Sequence, residues 1–505
     1  MCGIVGIHAR ANEADRLASW LHDMNVAQYH RGPDGEGTLI DQERSLGLAM
    51  RRLSIVDIAG GAQPMHSPDG RFTLVYNGEI MNAPELRASL EDRGVSFSSD
   101  HSDTEVLLHL LIQDGVAALS QLNGMFAFAL YDRDHQTLTL ARDRFGIKPL
   151  YIWEDQGRFA FASELKSLLA LPILSRALNT QSLHHYLSLM YVPGRDSILS
   201  GVTRLPVGHV LTYSLTSRQA DLSSWWALAY QPAAQINQRE WVERVRFTLS
   251  QAVRRWTMSD VPVACSLSGG LDSSAIVGIL SQNGSPPATY SLGFRGDGEA
   301  GWDELPLAAT VAKQWGTDHH EIVLTPDSLL SELAKMVWSM DEPYGGGLPS
   351  WSVFKAMGED VKVGLIGSGG DELFGNYGKW IGLEGRWWKR PQATAESFRA
   401  HFFNQFYYFP DADKRRYLTC ESAIETDTSD FLWQRYQNAN GATVRDRCAS
   451  VDIETQFTDE FLMMTDRFSM AHSLEALPPF LDNYLVDLVT NIPADQRTRR
   501  RDLKG

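Results

Sequence analysis

The chain has 505 residues, 43% of them hydrophobic and 21% charged, with a formal net charge of −16 at pH 7. That length suits two or three domains, each large enough to bury its own core. The negative balance excludes a general nucleic-acid binder, whose affinity needs clustered cations. The one basic run, Arg497-Thr498-Arg499-Arg500-Arg501, reads as a solvated segment. Four cysteines, Cys2, Cys265, Cys420 and Cys448, lack the Cys-x-x-Cys spacing of a metal site. They read as reduced thiols of a cytoplasmic protein. No basic-plus-apolar leader opens the chain and no apolar run reaches membrane-spanning length, so no membrane partner is expected.

The first stretch is Met1-Cys2-Gly3-Ile4-Val5-Gly6-Ile7-His8. Removal of Met1 would set an α-amine beside the Cys2 thiol. An α-amine titrates near pH ~7.7–8.0, so nucleophile and general base would then share one residue. Downstream follow His30-Arg31-Gly32-Pro33-Asp34-Gly35, Arg52-Leu53-Ser54-Ile55-Val56-Asp57, Asn77-Gly78-Glu79-Ile80 and Ser102-Asp103-Thr104-Glu105. Together and in this order they resemble the class II glutamine amidotransferases, whose N-terminal nucleophile domain releases ammonia from glutamine. The resemblance implies Cys2 as nucleophile, with Asn77 and the Gly78 N–H as oxyanion donors. It also implies a glutamine site of Arg52, Leu53, Ser54, Ile55, Val56, Asn77, Gly78, Glu79 and Asp103. In that site Arg52 suits the substrate carboxylate, Asp103 its ammonium group and Glu79 the amine or amide.

Phe72–Tyr76 and Met125–Leu130 read as strands, whereas Glu105–Leu111 has helical spacing. Sheets flanked by helices follow, matching the αββα sandwich that the resemblance implies. Leu140–Tyr151 and Phe161–Glu164 are similar to the family too, and read as structural or domain-interface elements. His184-His185 and His319-His320 invite a metal reading, but adjacent strand residues point to opposite faces, so both pairs read as structural. From Leu205 the pattern changes, and Ser214 to Gln238 is rich in Ala, Gln, Ser and Pro. The division expected is a first domain over 1–210, a linker over 211–240 and a second domain over 241–505.

In the second half, the apolar run Val261–Ser266 reads as a buried strand. Leu267-Ser268-Gly269-Gly270-Leu271-Asp272-Ser273-Ser274 then turns the chain into a helix. Glycine N–H groups, serine hydroxyls and a helix N-terminus make an anion cradle. A carboxylate, Asp272, makes electrostatic sense there once Mg²⁺ stands between it and a phosphate. The loop lacks the Gly-Lys-Ser/Thr of a Walker motif. It resembles the pyrophosphate loop of enzymes that cleave ATP to AMP and pyrophosphate. Ala288–Phe294, a helix from Ala308 to Trp315, and His320–Leu324 continue an alternation that predicts a doubly wound parallel sheet with helices on both faces. Ligands on such sheets bind beyond the carboxyl ends of the strands, which sets Leu292 beside the adenine. A second strand–glycine–helix unit, Val361–Tyr377, contributes Ile366 and Gly367 to the ATP site and Asp371 as the second Mg²⁺ ligand. Asp341-Glu342-Pro343 with Pro349-Ser350 reads as the acceptor region.

Met470–Glu475 and Pro479–Asp482 complete a resemblance that now covers essentially the whole chain: the glutamine-hydrolysing asparagine synthetase family. It implies ATP-dependent amide formation through an acyl-adenylate, asparagine from aspartate first of all. A sugar acid or specialised metabolite as acceptor is the nearest alternative, and a glutaminase or ATP-binding regulator without synthetase activity the next; a homodimer is a further expectation. The chain departs from the family at Ser368, where the family has Glu or Asp, at Leu477, where it has Arg, and at Gly345-Gly346-Gly347. The family's Lys-Gly-Phe segment is also not reached by Gly505, so its lysine is expected to be missing or to lie beyond this sequence. The aromatic run His401–Phe409 reads as a buried helix or a partner-facing surface, since an acidic chain lacks the basic groove of a base-stacking platform.

Overall fold

A computed structural model describes residues 2–498 apart from 234, 283, 285, 296–302, 376, 385–392, 415 and 418–423, with the side chains of 328 and 329 also left out. Cys420, the arginines from 499 to 501 and Gly505 lie outside the described residues. The first unit contains β1 (Cys2–His8), β2 (Gly35–Asp41), β3 (Leu46–Arg52), β4 (Met65–His66), β5 (Phe72–Ile80), β6 (Gly124–Asp132) and β7 (Thr137–Arg142). It continues with β8 (Tyr151–Asp155), β9 (Arg158–Ala162), β10 (Val202–Arg204), β11 (His209–Ser214) and β12 (Gln219–Ser224). They form two six-stranded sheets, in the orders β10-β8-β9-β1-β3-β2 and β12-β11-β7-β6-β5-β4.

The layering follows from the side-chain period of a strand. Cys2 and Ile4 of β1 join Leu48, Val75 and Ala129 between the two sheets. Val5 and Ile7 face the other way, onto helices Leu17–Ala27 and Leu165–Leu169. Both faces of β1 are therefore buried, which explains a continuous apolar run in place of alternation. Helices Ala83–Asp92 and Asp103–Asp114 cover the second sheet, so the αββα expectation is borne out.

Residues 211–224, which composition suggested as linker, are instead the rest of β11 and all of β12. Leu211 and Tyr213 point into the layer between the sheets, and β11 pairs with β7. Helix Gln238–Arg255 starts three residues before the expected boundary, capped by Asn237, whose side chain accepts from the Glu240 N–H at 3.1 Å.

The second unit carries β13 (Val263–Ser266), β14 (Ala288–Phe294), β15 (Asp318–Leu324), β16 (Val363–Leu365) and β17 (Glu475–Leu477), all parallel, in the order β15-β14-β13-β16-β17. Helices Leu271–Gln282 and Leu305–Trp315 pack on one face. Helices Pro326–Met340, Leu348–Asp360 and Met463–Met470 pack on the other, as the doubly wound expectation requires. The chain runs outward from β13 to β15 and then returns to place β16 on the opposite side of β13. A crevice opens at that reversal, between the loops that leave β13 and β16.

His184 and His185 lie on helix Thr180–Leu189, not on a strand, and His184 Nε2 stands 3.6 Å from both Asp411 and Asp427. In the aromatic run, Phe402 and Phe403 are buried with Trp380 and Tyr436, whereas Tyr408 and Phe409 are exposed. No helix among the described residues is long and apolar enough to cross a membrane.

Candidate active sites

Antiparallel pairing of β1 with β3 sets Cys2 opposite Arg52. The Cys2 N–H donates to Asn77 Oδ1 at 3.1 Å. Asn77 is fully buried on β5, and its other polar atom, Nδ2, has no hydrogen-bond partner. A buried donor without an acceptor is costly unless a ligand supplies one. Beside it, a Cβ on Gly78 would stand 2.1 Å from the Met125 carbonyl oxygen, so only glycine allows β6 to approach this closely. Cys2, Arg52, Leu53, Ile55, Val56, Gly78, Glu79 and Asp103 line one narrow cleft. Burial pushes the Cys2 thiol up, and the Arg52 charge works against it.

Arg52 is oriented by the loop that follows it, donating to the carbonyls of Asp57 at 2.7 Å and Ile58 at 2.9 Å. Asp103 Oδ2 accepts from the Tyr76 hydroxyl at 3.0 Å and the Ile80 N–H at 3.1 Å. Burial raises its pKa nonetheless. Ser54 is turned to Asp34, its N–H donating to Oδ2 at 2.8 Å. Sequence reasoning missed Gln63, whose Nε2 lies 3.9 Å from the Cys2 sulfur and whose Oε1 accepts from the Tyr76 N–H at 2.7 Å. The preceding glycine pair carries the signal that could have found it: a Cβ on Gly61 would fall 2.3 Å from Arg52 Nη2.

At the crevice, the loop after β13 is held by its own serines. Ser268 N–H donates to Ser273 Oγ at 3.2 Å, and Gly270 N–H donates to Ser268 Oγ at 3.2 Å. Gly269 has φ +79°, and a Cβ there would meet the Ala308 nitrogen at 2.7 Å. Ser274 Oγ is buried without a partner. Ser291 Oγ donates to the Leu267 carbonyl, which ties β14, with Leu292, to the same rim. The loop after β16 comes close: a Cβ on Gly367 would lie 3.3 Å from Asp272 Cβ, and one on Gly370 2.4 Å from Asp272 Cγ. Burial first, then the Asp371 charge, pushes Asp272 up to about 6. Glu372 is pushed up to about 7 by burial, although it accepts from the Tyr377 hydroxyl and, at 3.1 Å, from the Gly369 N–H. Leu271, in contrast, is 75% exposed.

Buried ion pairs join the two units. Arg31, fully buried, donates to Glu164 at 3.0 Å, to Asp466 at 2.8 Å and, through Nε, to the Cys2 carbonyl at 3.2 Å. Lys148 reaches Glu475 at 2.9 Å, which bears out an interface role for Leu140–Tyr151. Asp341 and Glu342 prove to be interface groups as well and not acceptor-facing ones. Lys166 pairs with Asp341 at 2.8 Å, while Glu342 accepts from the Tyr151 hydroxyl at 3.0 Å and from Arg204 Nε at 3.2 Å.

Residues 1–226 match the family model of a glutamine amidotransferase domain, and residues 244–505 that of asparagine synthase. The chain is 31% identical over 536 residues to Asparagine synthetase [glutamine-hydrolyzing] 1 of Bacillus subtilis, covering 100% of this chain and 83% of the relative. It is 31% identical over 558 residues to a putative asparagine synthetase [glutamine-hydrolyzing] of Mycobacterium bovis, covering 100% and 84%. It is also 28% identical over 573 residues to the amidase chry2 of Gibberella zeae, covering 99% and 84%.

Proposed function

Because the chain belongs to the glutamine-hydrolysing asparagine synthetase family, we propose that it makes asparagine from aspartate, with ATP and with ammonia drawn from glutamine at Cys2. The family membership carries glutamine, ATP and a carboxylate as substrates; aspartate rests on the names of the relatives. With Met1 removed, the Cys2 α-amine takes the thiol proton and the thiolate attacks the glutamine amide carbon. The oxygen that becomes negative takes hydrogen bonds from Asn77 Nδ2 and the Gly78 N–H. The amine returns the proton to the leaving nitrogen, ammonia departs, and water cleaves the thioester to glutamate.

In the crevice, the aspartate side-chain carboxylate attacks the α-phosphorus of ATP and pyrophosphate leaves. Ser268, Gly269, Gly270, Ser273, Ser274 and the start of helix Leu271–Gln282 hold that leaving group through hydroxyls, N–H groups and the helix dipole. Asp272 and Asp371 fit a divalent cation: after burial, the Asp371 charge pushes the Asp272 carboxyl up, and a cation beside them would offset both causes. They would hold Mg²⁺, which supplies charge neutralisation on the phosphates. Ammonia then displaces AMP from the activated carboxyl.

The observation that carries most weight is the buried, unpartnered Nδ2 of Asn77, whose Oδ1 accepts from the Cys2 N–H. The acceptor is tested by pyrophosphate release across a panel of carboxylic acids with glutamine present. Aspartate is expected to give the highest kcat/KM, with asparagine as product. A faster acid that leaves aspartate unused would replace aspartate in this reading.

A further inference from the structure

The loop that orients Arg52 is pinned from the other unit, a contact that the steps so far leave unused. Arg52 donates to three successive carbonyls, Val56 at 3.3 Å, Asp57 at 2.7 Å and Ile58 at 2.9 Å. The turn that presents them depends on Asp57, whose φ of +43° is uncommon outside glycine. Its own carboxylate holds it there: Oδ1 accepts from the Gly60 N–H at 2.7 Å and Oδ2 from the His101 N–H at 3.1 Å. His101 stands two residues before Asp103. One hydrogen bond therefore ties the group suited to the carboxylate of glutamine to the segment carrying the group suited to its ammonium.

The second unit grips this spot twice through Asp260, three residues before β13. The Asp260 N–H donates to the Ile55 carbonyl at 3.0 Å, in the same loop. Its carboxylate meets the His101 ring, with Nε2 at 2.9 Å from Oδ2 and 3.0 Å from Oδ1, while Nδ1 lies 2.9 Å from Asp100 Oδ2. A carboxylate at each ring nitrogen requires a proton on both, so the ring is an imidazolium. A neutral ring has one donor and would turn a lone pair towards one of the two carboxylates. Three acidic groups face the ring: Asp100 from its own loop, Asp260 from the second unit and Asp57 from the loop after β3. Hydrogen bonds to Asp100 and then to Asp260 hold the pKa of His101 above its ordinary value.

We infer that Asp260 of the second unit, acting through His101, is a positioning residue for glutamine in the first: it fixes Arg52 relative to Asp103. The inference rests on Arg52 and Asp103 serving as the glutamine site. The contacts lead to the two ends of the substrate's amino-acid group and not to Cys2, Asn77 or Gly78. They therefore act on KM and leave kcat alone. The imidazolium's contribution is whole below about pH 6.5 and is lost as pH rises through its higher pKa in the folded enzyme, so glutamine binding weakens towards alkaline pH. The His101 side chain is 45% exposed and that of Asp260 35%. An ion pair this open changes an equilibrium by about fivefold at most.

The test is glutamate release by the full-length enzyme, with glutamine varied at a series of pH values. Asp260→Asn keeps the size of the side chain and the main-chain bond to Ile55, so it should fold as before. At pH ~6.5 its KM for glutamine should rise about two- to fivefold with kcat unchanged, and His101→Gln should match it. As pH rises, KM of the unmutated enzyme should climb and the difference from both variants should close. Asp260→Glu should recover part of the loss. An unchanged KM in both variants overturns the inference, even where Tm falls, for the contact is then structural only. A fall in kcat at constant KM overturns it too, since the contact would then serve the chemistry at Cys2. No glutamate released by the unmutated enzyme at any pH would defeat the glutaminase reading itself, and this inference with it.

Discussion

Asn77→Ala tests the proposed oxyanion hole. The side chain is fully buried, uses Oδ1 to accept from the Cys2 N–H at 3.1 Å, and keeps Nδ2 unpartnered. In the free enzyme that donor is an unmet cost; with negative charge on the substrate oxygen it becomes a made hydrogen bond. Losing one such donor lowers kcat by about 10²–10³, or about 2.7–4 kcal/mol. Losing the Cys2 N–H contact removes a further stabilisation of about 0.5–1.5 kcal/mol, which is present with and without substrate and so falls on folding stability. Asn77→Asp keeps volume and the Oδ1 acceptor but turns the donor into an acceptor, so its kcat should fall at least as far. The assay is glutamate release at saturating glutamine, with asparagine formation from added ammonium salts as evidence of folding. A fall in kcat of less than about tenfold, or about 1.4 kcal/mol, in folded Asn77→Ala would refute the assignment.

Cys2→Ala should abolish glutamate release while amide formation from ammonium salts continues; parallel loss of both in folded protein would reject separate sites for the two half-reactions. Gly370→Ala places a Cβ within 2.4 Å of Asp272 Cγ, so it should displace the carboxylate and suppress pyrophosphate release, and wild-type rates in that variant would show that Asp272 is not needed in this position. With Asp272 pushed up to about 6, a proton competes for the carboxylate below that pH, so the Mg²⁺ concentration giving half-maximal pyrophosphate release should fall as pH rises through 6. A flat Mg²⁺ requirement over that range would count against Asp272 as a ligand. Arg31→Met leaves Glu164 and Asp466 facing each other without their shared cation, a loss of about 3–5 kcal/mol, read as a lower Tm; an unchanged Tm would mean that the interface does not depend on this pair.

The amino-acid sequence by itself determined the elements whose chemistry is local. The Gly269-Gly270 turn between an apolar strand and a helix reads as an anion cradle from sequence alone, because its N–H groups and the helix dipole come from the same short stretch. The same local legibility holds for Asn77-Gly78 as proposed adjacent donors and for β14, where Ala288, Tyr290, Leu292 and Phe294 alternate with smaller residues at the period of a strand. β12 escaped notice for the converse reason: as an edge strand with an exposed face it has the polar composition of a linker. Tertiary structure alone decided what the charges meet. Asp341 and Glu342 look like substrate ligands until Lys166, Tyr151 and Arg204 are seen to occupy them. Arg31, paired with Asp466 across 435 residues of chain, has no local signal. Burial sets the energy of an ionised group and topology supplies its partner, and neither is a property of the residues next to it in the chain.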